Sequence, residues 1–485
     1  MTSGPQALRR RVRRTHLAAL VVAVLVVAGV LSGQFWRNEH ATYPLYQVTV
    51  VRESDGGLVA LPRERWEAER ADLIGSSRVL PPPGSASDEA VSLGLGTGTA
   101  RATADWLWLR RGDLPGEGTA YEEMARRALL DLRALTGPEG AEPGAVLAAG
   151  SRGWDYVWPR DAAFVAVAYA RTGHRQESLD VLQFVQRQQA ADGSMHARYL
   201  PDGSGPVPDG RGLQEDGPGW SLWAAREVLE AEAPATRRSV ATTLTPLVTR
   251  STARILGQLD PVTGLPLPSP DYWEVPERRL TLGIAATSLA GLEAAAELDA
   301  AGLIDPAAWA EVGVDPSSLD RRAADLRVAV EAAFGPEFPR HAGGRPDAAV
   351  TFLLPPFTRC PLPGADAARL AALPEMERPA GGVAPGAGWR RDGISWTPQT
   401  ALQALASAAT GDRASALAWL DWLDAHRTEA GSLPEKVLFD GQPAAVAPLA
   451  WTSALVLISL DELASPSATP RPDASCGGPG PRPSA

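Results

Sequence analysis

Residues 153–161 read Gly153-Trp154-Asp155-Tyr156-Val157-Trp158-Pro159-Arg160-Asp161. Proline suits the first turn of a helix, so Pro159 predicts that a helix begins here and that a loop precedes it. Indole faces stack well on the apolar faces of sugar rings, and an arginine beside an aspartate can donate hydrogen bonds to hydroxyl groups and accept them. The loop therefore indicates a site for a polar ligand. The alternative is that Arg160 and Asp161 merely pair at the helix start.

The chain on both sides of this loop shows helical periodicity. From about residue 119, apolar residues recur at helical spacing, while strand-like runs are scarce apart from a short one at Tyr46–Arg52. The predicted fold class is all-α. About twelve helices are predicted, near residues 120–136, 160–172, 175–190, 217–231, 236–258, 279–298, 316–334, 347–354, 366–375, 396–409, 413–427 and 446–464.

The two ends of the chain differ from this helical region. Five arginines within residues 9–14 precede an apolar run at residues 17–31, and with its flank to Trp36 the segment reaches about 20 residues, enough to cross a bilayer. We expect residues 1–36 to be a signal anchor with a cytoplasmic N-terminus, or alternatively a cleaved signal peptide, and the body of the protein to be exported. Residues 37–118 are predicted to be an extended segment and linker, 119–464 a helical domain, and 465–485 a disordered tail.

Composition narrows the kind of ligand. The formal net charge of the 485 residues is -11, which argues against nucleic acid because phosphates need a basic footprint. Fifteen tryptophans outnumber eight phenylalanines and seven tyrosines, an inversion of normal usage. No metal-ligand cluster, nucleotide motif or cofactor lysine is visible, so we expect no cofactor and no metal.

Two loop glutamates are the candidate chemical groups. Glu274 lies between Trp273 and Val275, where desolvation disfavours the charged form of a carboxyl and suits a general acid. The alternative, a glutamate at a helix start, fits Glu277 better. Glu435 follows a proline on a short non-helical stretch, and its alternative is a surface ion pair with Lys436. Asp216 is a further candidate, although it could equally cap the helix that starts near Gly217.

These segments resemble the glucoamylase-like family 15 glycoside hydrolases. They follow the family's order and roughly its spacing between residues 119 and 464, and they comprise Trp154-Asp155-Tyr156-Val157-Trp158-Pro159-Arg160-Asp161, Asp192-Gly193-Ser194-Met195-His196-Ala197-Arg198-Tyr199, Asp271-Tyr272-Trp273-Glu274, Leu433-Pro434-Glu435 and Pro448-Leu449-Ala450-Trp451-Thr452. The resemblance implies an (α/α)6 toroid of six inner and six outer helices, which agrees with the count from periodicity.

The resemblance also implies roles for residues. Glu274 would be the general acid and Glu435 the general base of an inverting mechanism, with carboxyl groups roughly 6.5–9.5 Å apart. The residues implied to bind the sugar are Trp158, Arg160, Asp161, Asp216, Trp273, Trp396 and Trp451.

The sequence departs from the family pattern at three places. Val275 stands where a second glutamate often follows the acid, and the usual arginine before Trp396 is matched only by Arg390 and Arg391, at different spacing. The N-terminal β-sandwich of many prokaryotic members is missing. Starch-type maltooligosaccharides, an isomalto-type glucan and trehalose all stay open as substrates. The expected activity is an exported, membrane-tethered, exo-acting α-glucosidase, and the alternative is an envelope protein that binds carbohydrate without cleaving it.

Overall fold

The computed structural model describes residues 40–53, 56–70, 78, 105 and 107–464. The predicted signal anchor, the Pro- and Gly-rich stretch at residues 80–100 and the tail from residue 465 lie outside the described residues. Within the described part, no helix is both long and apolar enough to cross a bilayer.

Helices dominate the described chain. The strands are short: β1 (Thr49–Arg52) and β2 (Leu58–Leu61) form an antiparallel hairpin, and β3 (Ser395–Trp396), β4 (Lys436–Val437) and β5 (Pro443–Ala444) form a small antiparallel sheet. The α-helices are α1 (Arg63–Glu69), α2 (Glu122–Leu135), α3 (Pro159–Arg171), α4 (Arg175–Gln188), α5 (Asp216–Ala231), α6 (Pro234–Gly257), α7 (Leu282–Ala300), α8 (Pro306–Glu311), α9 (Leu319–Phe334), α10 (Ala365–Met376), α11 (Thr397–Ala409), α12 (Arg413–Ala425) and α13 (Ala450–Ala464).

Six helical elements of the described chain pack in a closed inner ring. Going round the ring, α3 packs on α5, α5 on α7, α7 on the 3-10 helix Ala348–Leu353, that helix on α11, α11 on α13, and α13 on α3. An outer helix backs each of them: α4, α6, α9, α10, α12 and α2, in the same order. This arrangement is consistent with an (α/α)6 toroid, and the all-α prediction is confirmed.

The difference between the two rings follows from residue patterning. A helix that is apolar all round has to be buried on all sides, whereas one apolar stripe suffices for a surface helix. In the inner helix α7, every residue from Leu282 to Leu292 is buried. In the outer helix α12 only Ala416, Leu420 and Leu423 are buried, and they recur at helical spacing on one face.

Most predicted helices coincide with observed ones to within a few residues, and the differences have local causes. The predicted helix at 347–354 is a short 3-10 helix. The helix α13 begins at Ala450 rather than near 446, because the residues before it bond to the segment 433–435 instead: Val446 O accepts from Glu435 N–H at 2.8 Å, and Leu449 N–H donates to Leu433 O at 2.9 Å. The predicted strand at 46–52 begins at Thr49, since Tyr46 instead donates its backbone N–H to Ala445, 2.7 Å away. The short helices α1 and α8 were not predicted.

Glycine sets the spacing of the inner ring where α5 crosses α7. A Cβ on Gly219 would lie 2.3 Å from the carbonyl oxygen of Thr287, and a Cβ on Gly291 would lie 2.8 Å from Gly219 Cα. The two backbones therefore touch, and no larger residue fits at either position without moving a helix.

We predict that Gly219→Ala lowers the free energy of unfolding by about 1–3 kcal/mol, because the added methyl group has to push apart two inner helices. Denaturant unfolding of the purified protein measures the change. The matched control is Gly257→Ala at the end of α6, where nothing lies within 4 Å of an added Cβ. The control should be neutral or stabilising by up to about 1 kcal/mol, and equal effects of both substitutions would contradict the argument.

Candidate active site

A cavity of about 390 Å³ lies where the loops that precede the inner helices meet. Four of these loops, those before α3, α7, α11 and α13, contribute residues that the sequence singled out. The predicted residues in the wall are Trp158, Arg160, Asp161, Trp273, Glu274, Trp396, Glu435 and Trp451. The structure thus brings together side chains that are separated by up to almost 300 positions in the chain.

Arg160 and Asp161 sit in the first turn of α3, which Pro159 opens as predicted. Arg160 Nη2 lies 3.2 Å from Asp161 Oδ2 and 3.4 Å from Glu274 Oε1, and the guanidinium stands 4.6 Å from the centre of the Trp451 ring. Burial raises the pKa of Asp161, and the charge of Arg160 acts against this rise. The two residues do pair at the helix start, but the pair also faces the cavity and reaches the candidate acid.

The loop that carries Glu274 is a tight turn built on Asp271. The Asp271 carboxylate accepts the backbone N–H of Trp273 at 3.0 Å, and its backbone carbonyl accepts that of Glu274 at 2.7 Å. Glu274 adopts φ 54°, in the left-handed region that costs a residue with a Cβ on the order of 1–2 kcal/mol. Such a conformation persists only where the surroundings impose it, and it turns the Glu274 side chain toward the cavity.

Arg340 provides these surroundings. Its buried guanidinium donates to both carboxylate oxygens of Asp271 at 3.0 Å and to Glu277 Oε1 at 2.6 Å, and it lies 3.3 Å from Asp347 Oδ2. The same guanidinium stacks on Trp273 with 3.7 Å to the ring centre. The interpretation of Glu277 as a helix-start glutamate is wrong, because α7 begins only at Leu282.

Three hydrogen-bond donors surround the Glu274 carboxylate. Trp158 Nε1 donates to Oε1 at 2.7 Å, with Arg160 on the same oxygen, and Arg211 donates to Oε2. The sequence predicted an apolar environment of indole and aliphatic groups. The actual environment contains two guanidinium groups, which favour the ionised form of a carboxyl.

Glu435 lines the same cavity and directly precedes β4. Its backbone is fixed by hydrogen bonds from its N–H to Val446 O at 2.8 Å and from Thr397 N–H to its carbonyl at 3.1 Å. Trp154 Nε1 lies 3.4 Å from Oε1, and Lys436 Nζ lies 3.2 Å from Oε2. Glu435 is 9% exposed, so the interpretation of a solvated surface pair with Lys436 does not hold.

Indole rings form much of the remaining wall. Trp389 packs edge-on between Trp273 and Trp396, with ring centres 4.8 and 5.6 Å away. Buried polar atoms in proteins are usually hydrogen-bonded. Among the described residues, the buried Nε1 atoms of four wall tryptophans find no hydrogen-bond partner, and neither do Arg160 Nη1 and Gln399 Oε1; the tryptophans are Trp273, Trp389, Trp396 and Trp451. This combination of stacking surfaces and unsatisfied polar atoms suits a ligand rich in hydroxyl groups.

Some wall residues were not identified from the sequence. Arg198 and Arg211 come from the loop before α5, and Trp389 and Gln399 from the region of β3 and α11. Arg198 lies within the segment 192–199 that resembles the family, but the resemblance implied no role for it. The excess of tryptophan in the composition was the only signal for Trp389. Arg211 has no local signal, since its neighbours Asp209, Gly210 and Gly212 read as turn residues.

Asp216 does not line the cavity. It is the first residue of α5 and is buried, where it accepts hydrogen bonds from Gln214 Nε2 at 2.9 Å and Trp220 Nε1 at 3.3 Å. Burial raises its pKa to about 6, while the charge of Arg160 acts in the opposite direction. The geometry therefore places Asp216 behind the wall and does not bring it to the cavity as the resemblance implied.

Comparison of the amino-acid sequence with protein-family models and with curated proteins found no match. Solved structures do match. A glycosidase variant in complex with glucose superposes with a TM-score of 0.57 at 22% identity, covering 73% of this chain and 98% of that one. A bacterial glucoamylase complexed with acarbose gives 0.56 at 15% identity, over 74% of this chain and 57% of that one.

A glucoamylase from Saccharomycopsis fibuligera gives a TM-score of 0.55 at 14% identity, over 73% of this chain and 96% of that one. At these identities the likeness shows the fold alone. The chain therefore has the fold of the glucoamylase-like glycoside hydrolases.

Proposed function

We propose that this protein is a glycoside hydrolase that cleaves α-glucosidic bonds with inversion at the anomeric carbon. The observation that carries the proposal is that Glu274 and Glu435, carried by different loops, line one cavity together with the Arg160–Asp161 pair. Inverting hydrolysis needs two carboxyl groups on opposite sides of the sugar, one to protonate the leaving group and one to activate water.

In this mechanism Glu274, in its protonated form, donates its proton to the glycosidic oxygen. Glu435 takes a proton from a water molecule, whose oxygen attacks the anomeric carbon from the opposite ring face as the bond to the leaving group breaks. The product sugar keeps the water oxygen, and the leaving group keeps the proton from Glu274. Arg160 and Asp161 hold sugar hydroxyls, while Trp273, Trp396 and Trp451 present ring faces and N–H groups to the sugar.

An exo mode of action is part of the proposal. The cavity is bounded by loops from several sides, and indole rings line it. Such a pocket suits the end of a saccharide better than the middle of a polymer. The glucose and acarbose bound to two of the similar structures belong to those proteins, and they support glucose as the sugar that this chain releases. Starch-type, isomalto-type and trehalose-type linkages all fit the proposal.

We predict that Glu435→Gln and Glu274→Gln each lower glucose release from α-glucosides by about 10²–10⁴-fold, the range expected when a general base or acid is lost. Wild-type activity is measured on a panel of α-linked disaccharides and glucans, and proton NMR follows the anomer released first, which should be β-glucose. The control is Glu429→Gln, on the same segment but paired with Arg63 at the surface. Full activity of Glu435→Gln, or α-glucose as the first product, would refute the mechanism.

A second candidate function is carbohydrate binding without turnover. The specific observation in its favour is that Arg211 holds Glu274 as an ion pair, a form that has no proton to donate. Calorimetric titration with maltooligosaccharides, run beside the hydrolysis assay, separates the two functions: binding with no glucose released on any substrate favours the binding protein.

We further predict that Arg340→Gln abolishes most activity, because it frees the turn that holds Glu274 and leaves buried carboxylates without their cation. Removing one partner of a buried ion pair costs about 3–5 kcal/mol, so the unfolding free energy should fall in the same variant. The control is Arg345→Gln on the same loop. Arg345 pairs with Glu375 at the surface, a kind of pair worth about 0–1 kcal/mol. Equal effects of the two substitutions would contradict the role of Arg340.

Export and membrane tethering are also part of the proposal. The sequence supports them through the arginine cluster and apolar run of residues 9–31, which lie outside the described residues. The full chain should fractionate with membranes and be accessible to protease added outside the cytoplasm. Recovery of the full-length protein in the soluble cytoplasmic fraction would refute this part.

A further inference from the structure

A second cavity, of about 330 Å³, adjoins the first, and both have Arg211 and Glu274 in their walls. The ion pair between these two residues therefore stands between the two cavities. The rest of the second wall is formed mainly by small or apolar residues and comprises Ala197, Asp209, Gly210, Gln214, Pro270, Val275 and Pro276.

Arg211 belongs to a compact charge cluster. Its Nε lies 3.1 Å from Asp209 Oδ2, and its other guanidinium end binds Glu274 Oε2. Asp209 Oδ2 also accepts a hydrogen bond from Arg198 Nε at 2.9 Å, so one carboxylate is shared between two arginines. Burial and the neighbouring charge of Arg198 lower the pKa of Arg211.

The charges of this cluster balance only while Glu274 is ionised. The two cations are Arg198 and Arg211, and the two anions are Asp209 and Glu274. A general acid has to carry a proton before it can donate one. Protonation of Glu274 leaves the cluster with one excess positive charge and leaves Arg211 with only its share of Asp209.

The position of the acid shows which part of a substrate meets this excess charge. In inverting hydrolysis the acid stands on the side of the leaving group, and the base stands on the opposite ring face. The leaving group therefore lies on the Glu274 side, where Arg211 and the second cavity are. Val275, where the resemblance leads one to expect a second glutamate, adds no negative charge to this wall.

Resting on the proposed hydrolase function, we propose that Arg211 is a specificity-determining residue that selects leaving groups carrying an anionic substituent, a carboxylate or a phosphate. The anion replaces Glu274 as the partner of Arg211 and restores the charge balance, which allows Glu274 to hold the proton that it delivers. Arginine suits this exchange because its planar fork pairs equally well with carboxylate and phosphate oxygens. Its side chain is 39% exposed, so an incoming ligand can reach it.

The test compares three aryl α-glucosides that differ only in the para substituent of the leaving group: a carboxylate, a phosphonate and a neutral carboxamide. The measured quantity is the ratio of kcat/KM for each anionic substrate to that for the carboxamide. In the wild type we expect a ratio of about tenfold or more for at least one anion, since a charge-assisted hydrogen bond contributes about 1.5–3 kcal/mol. If the carboxylate substrate gives the larger ratio, the natural substituent is a carboxylate; if the phosphonate substrate does, it is a phosphate.

Three variants show whether Arg211 causes the preference for anionic leaving groups. Arg211→Gln should bring the ratio to about one, and Arg211→Lys, which keeps the charge, should retain part of it. Arg152→Gln removes an exposed arginine beside the cavity residue Gly153 and should leave the wild-type ratio in place. An equal fall of the ratio in Arg152→Gln would assign the preference to long-range attraction and overturn the role of Arg211.

Failure of this inference can be told apart from failure of the proposed function. Hydrolysis of all three glucosides with a wild-type ratio near one overturns the selection by Arg211 and leaves the hydrolase intact. Hydrolysis of none of them, together with no glucose release from the α-linked disaccharides and glucans, refutes the proposed function. In that case calorimetric titration of wild type and Arg211→Gln with the carboxylate and carboxamide glucosides decides the selection, and equal binding of the two ligands by the wild type overturns it.

Discussion

The buried guanidinium of Arg340 is the interaction on which the geometry of the site depends. It joins the turn before α7, through Asp271 and Glu277, to the start of the 3-10 helix at Asp347. A single cation shared by three carboxylates holds them close together, because leaving any of these buried charges unpaired is costly. That arrangement imposes the left-handed conformation of Glu274 and the position of Trp273, and so defines one wall of the cavity.

The closed ring of helices explains why one arginine can contact carboxylates from separate parts of the chain. Inner helices start at the same end, so the loops that precede them meet there, and side chains far apart in the chain become neighbours. The ring also buries most of the surface of ion pairs such as Arg160–Asp161, so solvent and salt screen their attraction much less than at the protein surface. The scaffold and the electrostatics of the site are therefore two consequences of the same packing.

The residues that could be identified from the sequence are those whose neighbours along the chain form a recognisable local pattern. Pro159 marked a helix start, and periodicity marked the inner and outer helices. The neighbouring Trp273 drew attention to Glu274, and the preceding proline on a non-helical stretch drew attention to Glu435. Prediction from the sequence failed where the deciding partner is distant. Arg211 and Trp389 carry no local pattern, Glu277 pairs with Arg340 rather than starting a helix, and Asp216 turned out to be buried behind the wall.

The sequence by itself determined the fold class, the approximate helix bounds and the list of candidate carboxylates, because periodicity and turn chemistry are local properties of the chain. Only the tertiary structure decided what surrounds each carboxylate. The sequence suggested that Glu274 has an apolar environment, whereas the folded chain places Trp158, Arg160 and Arg211 on it. The physical reason is that the charge state of a buried group depends on partners brought close by the fold, and distance along the chain carries no information about them.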